Sequence, residues 1–363
     1  MTKVSIIIPV YNVEKYIERC LKSLSEQTLE DIEIICIDDK STDNSLSVLK
    51  DFASRDERIK IIELDKNVGV GAARNEGLKI AQGTYLGFVD PDDAVELEFY
   101  EKLYNKGIET NADIVKGNIK TFHLDGRIVE SVLNKSIRKN KFAFINRWIS
   151  AIYKHNLIKV NNISFPNIRK IEDNVFLNRV VLNAKTIEII DDTYYLNYKR
   201  EGSLNANKIS IEGINAAIEG IKILLNDLNN SDLYNQNIDD YIYAFNQRMK
   251  IITSHFWQTD CEEERQLLVN AIIDCFHMCK SIKCLKKDFI YFPLLKFFIK
   301  KDKKTLIKKL SNYGNYAEFN KAMYEYQKYT IGEKLFSVKN KNNHKIITIL
   351  GIKIKIKRKK KDE

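Results

Sequence analysis

The chain has 363 residues, of which 44% are hydrophobic and 30% are charged, a balance typical of a globular protein with a sizeable core. This length suggests two domains, and only 4 prolines and 14 glycines exclude a collagen-like or largely disordered chain. The net charge of +10 is uneven: residues 280–309 carry +9 and residues 352–363 carry +5, which leaves −4 for the rest. Because the basic tail lacks interleaved aromatic residues, we expect no nucleic-acid binding.

The sequence predicts no signal peptide and no membrane-spanning helix. The apolar run at residues 4–10 is too short for either. Six cysteines without a framework spacing predict reduced thiols and a cytoplasmic location. Cys275, His277, Cys279 and Cys284 raise the possibility of zinc, but the C-x-x-C spacing is missing. We favour a core-facing helix, since Cys275 and Cys279 are one helical turn apart.

Strands and helices alternate through the first ninety residues. Apolar, β-branched runs predict strands at residues 4–10, 32–37, 60–64 and 84–89, with a helical pattern after each of the first three. Such alternation predicts a parallel, doubly wound sheet. Right-handed crossovers would bring the carboxyl ends of these strands to one edge. We therefore expect Tyr11, Asp39 and the acids that begin at Asp90 to lie at that edge, where α/β proteins bind ligands.

Three carboxylates follow the fourth strand in the segment Asp90-Pro-Asp92-Asp93. Carboxylates so close together repel each other unless a cation neutralises them. Mg²⁺ or Mn²⁺, shared with the phosphates of a substrate, fits such a set of oxygen ligands. The alternative is a solvated acidic turn, because Asp and Pro both favour turns.

The Gly69-Val-Gly71 segment at the start of the third helix does not form a dinucleotide fingerprint. Arg74 stands where that fingerprint has its third glycine. Together with the three-acid cluster, this argues against a nicotinamide-dependent oxidoreductase.

A fifth strand is predicted at residues 112–120, and the Asp125-Gly126 pair predicts a hairpin turn. Residues 141–160 show a helical pattern. Glu172 and Asp173 then open an apolar-periodic helix, where the helix dipole favours acids; a plain helix cap is the alternative.

A strand at residues 194–198 ends in a basic, glycine-containing turn. This turn could hold phosphate or could be a solvated loop. Residues 209–329 are predicted to be helical, and we place a domain boundary near Asn205.

Six segments in this order resemble the family 2 glycosyltransferases with the GT-A fold, of the kind that build bacterial surface polysaccharides. They are VSIIIPVYN at residues 4–12, EIICIDD at 33–39, STD at 41–43, NVGVGAARN at 67–75, FVDPDD at 88–93 and ED at 172–173. Lys40 departs from the family pattern, which usually has glycine there. The segment 336–355 is also similar to a tail of lipooligosaccharide and capsule transferases.

The resemblance implies an α/β fold: a GT-A, doubly wound, mostly parallel sheet with flanking helices, followed by a mainly helical C-terminal region and a short β tail. The corresponding domains are a nucleotide-sugar glycosyltransferase domain at residues 1–205, a helical domain at 206–340 and a basic tail at 341–363.

The resemblance also implies a donor site. Tyr11 would stack on the nucleotide base, most often uracil, Asp39 would accept a hydrogen bond from the base, and Arg74 would line the same pocket. Asp93 would ligate Mn²⁺ or Mg²⁺ directly, Asp92 would contact the ribose or the metal, and Asp90 would support both.

On the acceptor side, Asp173 matches the family's catalytic base, and Glu172 stands beside it. Tyr198, Arg200 and Ser203 are further candidates for diphosphate contacts when a C-terminal flap closes. The implied reaction is an inverting transfer from a nucleotide-diphosphate sugar, with UDP-sugar expected, to a hydroxyl of a surface glycan or lipid-linked glycan. The alternative is a degenerate transferase that binds a glycan or partner without turnover, but the intact acids argue against it.

The basic C-terminal region predicts docking on the inner face of the cytoplasmic membrane. Residues 293–310 predict an interfacial helix, with an apolar stripe of Leu295, Phe298, Ile299, Leu306 and Leu310. Residues 352–357 alternate Ile and Lys, which predicts a strand that folds back at Gly351. The alternative is that these apolar faces pack on the protein's own helices.

Overall fold

The computed structural model describes residues 1–132, 148–200, 210–259, 261–280, 302–313, 317–319, 321, 336–341, 344–349 and 352–357. Two compact units divide the chain, Met1–Ala244 and Phe245–Glu363. The sequence placed the first boundary near Asn205, whereas the structure groups the helix at Ile211–Asn230 with the first unit.

The first unit contains a nine-stranded sheet. Its strands are β1 Val4–Val10, β2 Ile32–Asp38, β3 Ile59–Glu63, β4 Tyr85–Phe88, β5 Ala94–Val95, β6 Ile114–Phe122, β7 Ile128–Ser131, β8 Ala151–Lys154 and β9 Ile187–Tyr198. Their order in the sheet is β3-β2-β1-β4-β8-β6-β9-β5, with β7 paired to β6. Strands β3, β2, β1 and β4 are parallel, and β8 is antiparallel to both β4 and β6. The predicted α/β class is confirmed, with a mixed second half of the sheet.

Eleven α-helices lie in the described part of the chain. They are α1 Ile17–Ser25, α2 Ser45–Ala53, α3 Val70–Ile80, α4 Phe99–Thr110, α5 His155–Val160, α6 Glu172–Asn183, α7 Ile211–Asn230, α8 Leu233–Gln236, α9 Ile238–Ser254, α10 Glu262–His277 and α11 Lys303–Leu310. All seven residues of β1 and all seven of β2 are buried. Burial along the whole strand explains why both sequences are predominantly apolar.

The predicted helix at residues 141–160 is wrong in its described part. Residues Ala151–Lys154 form β8, which pairs with β4 on one side and β6 on the other. Ile152 and Tyr153 are fully buried in this position. A four-residue apolar run does not distinguish a strand from a helix by periodicity, so the pairing decides. Residues 141–147 lie outside the described residues.

In the second unit, α11 packs on α10. The side chains of Leu306 and Leu310 are buried, with exposures of 0% and 1%. The prediction that they belong to a membrane-facing stripe is therefore wrong, because the protein's own interior covers them. Leu295, Phe298 and Ile299 lie outside the described residues. Cys275 and Cys279 are buried, as expected for a core face, and Cys284 is not among the described residues.

A separate antiparallel sheet is formed by β10 Phe336–Lys341, β11 His344–Ile349 and β12 Ile352–Lys357. The predicted pairing of residues 352–357 with the preceding strand is confirmed. Within the described part of the chain, every helix is too short or too polar to cross a bilayer.

Candidate active site

The loops after β1 and β2 are hydrogen-bonded to each other. Asn12 has a left-handed backbone (φ 50°), and its Oδ1 accepts a hydrogen bond from the Thr42 N–H at 2.8 Å. Asp43 in turn accepts from the Glu14 N–H at 3.0 Å. These bonds fix the loop that carries Tyr11, whose side chain is 47% exposed. An exposed ring on a fixed loop is available to stack on a planar ligand.

Asp39 ties the end of β2 to the start of α3. Its Oδ1 accepts from the Val68 N–H at 2.7 Å and its Oδ2 from the Gly69 N–H at 2.9 Å. Each oxygen has further lone pairs for a ligand N–H. Lys40 has φ 63°, a left-handed conformation that favours glycine. Glycine would adopt this conformation with less strain than lysine does.

Asp93 is held from the strand β9. Its Oδ1 accepts from the Tyr198 N–H at 2.9 Å, its Oδ2 accepts from the Tyr195 hydroxyl at 2.9 Å, and Asn197 Nδ2 lies 3.1 Å from both oxygens. Burial, followed by the nearby charge of Asp90, raises the pKa of Asp93 to about 7, although the Tyr198 N–H opposes this shift. With 2% exposure and these bonds, Asp93 is poorly placed for the direct metal-ligand role that we predicted.

Asp92 and Asp90 each pair with an arginine. Asp92 Oδ2 lies 2.6 Å from Arg200 Nε, and Asp90 Oδ1 lies 2.9 Å from Arg74 Nη2. Burial raises the pKa of Asp90, and the charges of Asp92 and Asp173 add to that rise, while Arg74 lowers it. Asp90, Asp92 and Asp173 thus lie close enough to influence one another.

Arg74 joins the acidic turn to α6. Besides Asp90, its guanidinium contacts Glu172, with Nη1 3.3 Å from Oε1, and it lies 4.7 Å from the centre of the Trp148 ring. Arg74 is only 4% exposed. It stands inside the candidate site as predicted, but its described contacts link two acids, and a role at the nucleotide remains a prediction.

Asp173 lines a cavity of about 310 Å³ together with Asp90, Trp148, Asn197 and Lys199. Its Oδ1 accepts from the Asn174 N–H at 2.7 Å. Its Oδ2 has no hydrogen-bond partner in the described part of the chain. Glu172 beside it is buried, which raises the pKa of its carboxyl, and the charge of Asp173 raises that pKa further. One free oxygen of Asp173 therefore remains available to accept a proton.

Sequence reasoning missed four residues of this region: Trp148, Tyr195, Asn197 and Lys199. Tyr195 and Asn197 alternate along β9 and Lys199 follows its end, so period-two spacing of polar residues beyond Tyr194 was the available signal. Tyr198, which was predicted, packs its ring on Phe122 at 4.6 Å and under the Arg19 guanidinium at 3.6 Å. Ser203 lies outside the described residues.

The carboxylates suit a cation only if other groups complete its coordination. Among the described residues, no three acidic, imidazole or thiol side chains form a cluster able to hold a metal ion. Asp92, however, is partly exposed, and within the described ranges its carboxylate forms an ion pair with Arg200. Magnesium and manganese sites in phosphate-binding enzymes often use one or two carboxylates plus substrate phosphates. The donor set fits that shared type of site.

Comparison with known proteins gives one family-model match and several relatives. The model described as Glycosyl transferase family 2 matches residues 5–170. A poly(ribitol-phosphate) beta-glucosyltransferase from Bacillus spizizenii is 38% identical over 230 residues, 60% of this chain and 36% of that protein. Glycosyltransferase GlyG from Streptococcus pneumoniae is 30% identical over 235 residues, 60% of this chain and 77% of that protein.

Among solved structures, residues 1–349 of Staphylococcus aureus TarS in complex with UDP-GlcNAc superpose with a TM-score of 0.72 and 25% identity. The superposition covers 86% of this chain and 93% of that structure. The chain spans about a third of the length of the Bacillus relative.

Proposed function

The chain belongs to glycosyl transferase family 2, and we propose that it moves a sugar from a nucleoside-diphosphate sugar to a hydroxyl of a bacterial surface glycan or polyol-phosphate polymer, with inversion at the anomeric carbon. One observation carries this proposal. Asp173 and Asp90 are 83 positions apart in the sequence, yet both line the same cavity. An acid that can accept a proton thus faces the acidic turn that marks the donor side.

The donor is proposed to be a UDP-sugar. Support comes from the UDP-GlcNAc complex of TarS and from the geometry at the edge of the sheet. The exposed Tyr11 ring can stack on a base, and Asp39 has spare acceptor lone pairs beside it. The polyol-phosphate polymer is proposed as an acceptor because the Bacillus relative is named for a poly(ribitol-phosphate) acceptor.

In this mechanism, Asp173 removes the proton from the acceptor hydroxyl as that oxygen attacks the anomeric carbon. The bond from the anomeric carbon to the diphosphate oxygen breaks, and the nucleoside diphosphate leaves. Glu172 and Arg74 hold the start of α6 against the acidic turn, so the proton acceptor stays at the cleft. Arg200, now paired with Asp92, is placed to turn towards a diphosphate.

Asp92, with support from Asp90, would hold Mg²⁺ or Mn²⁺ together with the donor diphosphate. The bound cation would offset the negative charge that builds up on the departing nucleoside diphosphate. This differs from our sequence-based assignment, because the buried Asp93 is fully engaged by β9.

We also propose that the chain works at the cytoplasmic face of the membrane, where lipid-linked acceptors are found. Because Leu306 and Leu310 are buried, the support for this proposal comes from the β10–β12 sheet. Strand β12 pairs with β11 along Ile352–Lys357, and its sequence alternates isoleucine with lysine, a pattern typical of a strand with one apolar and one basic face. A basic face next to anionic headgroups gains about 1 kcal/mol for each engaged residue.

A screen of nucleotide sugars tests the main proposal. Purified protein with Mn²⁺ is incubated with each donor, with and without teichoic-acid-type and glycan acceptors, and free nucleoside diphosphate is measured. We expect release from one donor class that rises on addition of an acceptor, and an Asp173→Asn control that stays near background. Donor binding without release under every condition would instead support the degenerate, glycan-binding alternative.

A further inference from the structure

Ile171, the residue just before the two acids of α6, has a left-handed backbone with φ 57° and ψ 20°. A β-branched residue rarely adopts this conformation, because its Cβ substituents crowd the backbone. The other non-glycine residues with positive φ in the described chain are unbranched at Cβ: Asn12, Lys40, Asn111 and Asn162. Strained residues of this kind persist only where their surroundings hold them.

Gly220 of α7 provides the space that holds Ile171. A Cβ at position 220 would lie 2.4 Å from Cγ1 and 2.6 Å from Cδ1 of Ile171. The Ile171 side chain therefore occupies the volume where any residue other than glycine at position 220 would place its Cβ. On the backbone side, the Ile171 carbonyl accepts the Val175 N–H at 3.1 Å, the bond that starts α6.

Gly71 of α3 packs closely against the start of α6, on a different helix from Gly220. A Cβ at Gly71 of α3 would lie 3.0 Å from Cγ of Glu172 and 3.4 Å from the Pro166 carbonyl oxygen. The start of α6 is thus packed against bare backbone of both α3 and α7. Such close packing on two sides leaves the turn little freedom to shift.

We propose that Ile171 is a positioning residue, locked in its left-handed conformation by Gly220, which sets the place of Asp173 in the cavity. This inference rests on the proposed function, in which Asp173 accepts the proton. A small displacement of a proton acceptor is costly, because misplacement by about 1 Å can reduce a rate by about 100-fold. A purely structural role for the Ile171–Gly220 contact would instead change stability without a specific effect on the chemical step.

The first test is Gly220→Ala, which forces Ile171 out of its place. We expect kcat to fall by about 100-fold, with an unchanged donor dissociation constant in calorimetry, because Tyr11 and Asp39 are untouched. Gly107→Ala in α4 is the matched control: its Cβ would lie 2.8 Å from the Tyr85 ring, and neither residue lines the cavity that contains Asp173. That variant should lose stability but keep its kcat.

Two double variants separate positioning from general destabilisation. Adding Ile171→Gly to Gly220→Ala should restore most of kcat, since glycine adopts a left-handed backbone without strain and clears the clash. In an Asp173→Asn background, Gly220→Ala should cause no further loss, because the two changes act through the same group. An equal loss of kcat in both backgrounds, or wild-type kcat in the folded Gly220→Ala protein, would overturn the proposal.

Hydrogen exchange keeps this inference separate from the proposed function. Amide exchange at residues 172–175 should be faster in Gly220→Ala than in the wild type and should slow again in the double variant with Ile171→Gly. This readout needs no turnover, so an inactive wild type would count against the proposed function alone. If Gly220→Ala does not fold, Ile171→Ala tests the same lock from the other side; unchanged exchange and unchanged kcat in that variant would also overturn it.

Discussion

The Tyr195 hydroxyl lies 2.9 Å from Asp93 Oδ2 and accepts a hydrogen bond from the Asp90 N–H at 3.1 Å. One hydroxyl on β9 therefore holds both ends of the Asp90–Asp93 turn. The turn owes its shape to this contact and to Asn197 and the Tyr198 N–H, which bind the same carboxylate. Asp93 acts as the anchor, and the turn presents Asp92 and Asp90 to the cleft.

Replacing Tyr195 by Phe removes this shared hydroxyl while keeping the buried ring. We expect the free energy of unfolding in urea to fall by about 1–3 kcal/mol, because a buried carboxylate and a buried N–H each lose a partner. Transfer should fall as well, since the acidic turn loosens. Tyr85→Phe is the control: the Tyr85 hydroxyl lies 2.9 Å from the Gly107 carbonyl oxygen and 2.8 Å from that of Ala112, so stability should fall while transfer persists. Unchanged transfer in Tyr195→Phe would contradict the anchoring role.

Asp173→Asn tests the proton acceptor. The amide keeps the shape of the side chain but cannot take a proton, so we expect transfer to fall by about two to four orders of magnitude. Donor affinity should stay the same, because Asp173 lies with the acceptor in this mechanism. Calorimetry with the donor and rate measurements with the acceptor check both statements. Lost donor binding with chemistry intact would be incompatible with this assignment.

Asp92→Asn and Asp93→Asn distinguish the two candidate metal ligands. We expect EDTA to abolish transfer and Mn²⁺ to restore it. Asp92→Asn should raise the Mn²⁺ concentration needed for donor binding with little change in stability, because an amide is a weaker ligand for a hard cation. Asp93→Asn should mainly lower the free energy of unfolding, by about 1–3 kcal/mol. If Asp93→Asn instead raises the required Mn²⁺ concentration and Asp92→Asn lowers the free energy of unfolding, Asp93 is the metal ligand.

Tyr11→Ala tests the base pocket, because this ring is exposed and its loss should not unfold the protein. Stacking on one base is worth about 1–3 kcal/mol, so affinity for free UDP should weaken by that amount in calorimetry. Asp39→Asn is a less clean change. An amide has only one oxygen to accept from the Val68 and Gly69 N–H groups, so stability is lost with affinity. Wild-type affinity in Tyr11→Ala would remove the stacking role.

Vesicle flotation tests membrane docking by the C-terminal sheet. The wild type should float with anionic vesicles at low salt and dissociate at high salt, since ions screen the attraction. Changing Lys353, Lys355 and Lys357 to Gln should reduce flotation. The matched control changes Lys303, Lys304 and Lys308 of α11 to Gln, which removes the same charge from an exposed helix face. Equal loss in both triple variants would mean that net charge, rather than the sheet, drives binding.

The sequence by itself determined the first half of the fold. The β-branched runs of β1 and β2 are buried along their whole length, and a strand that is buried on both faces leaves a predominantly apolar run in the sequence. The positions of Tyr11, Asp39 and Asp90 after β1, β2 and β4, at one edge of the sheet, then follow from the right-handed connection between parallel strands. The sequence alone therefore predicted that the main acids lie at one edge of the sheet, and it also indicated the family.

Only the tertiary structure decided which acid is buried and held by other side chains. Asp92 and Asp93 are neighbours with the same side chain, and their difference arises because β9, a hundred residues later, supplies Tyr195 and Asn197 to one of them. The same applies to β8, which pairs with β4 and β6 where its short apolar run predicted a helix. It applies also to Leu306 and Leu310, whose apolar stripe looks identical whether lipid or α10 covers it. Local patterns fix which face is apolar, whereas long-range contacts fix what that face meets.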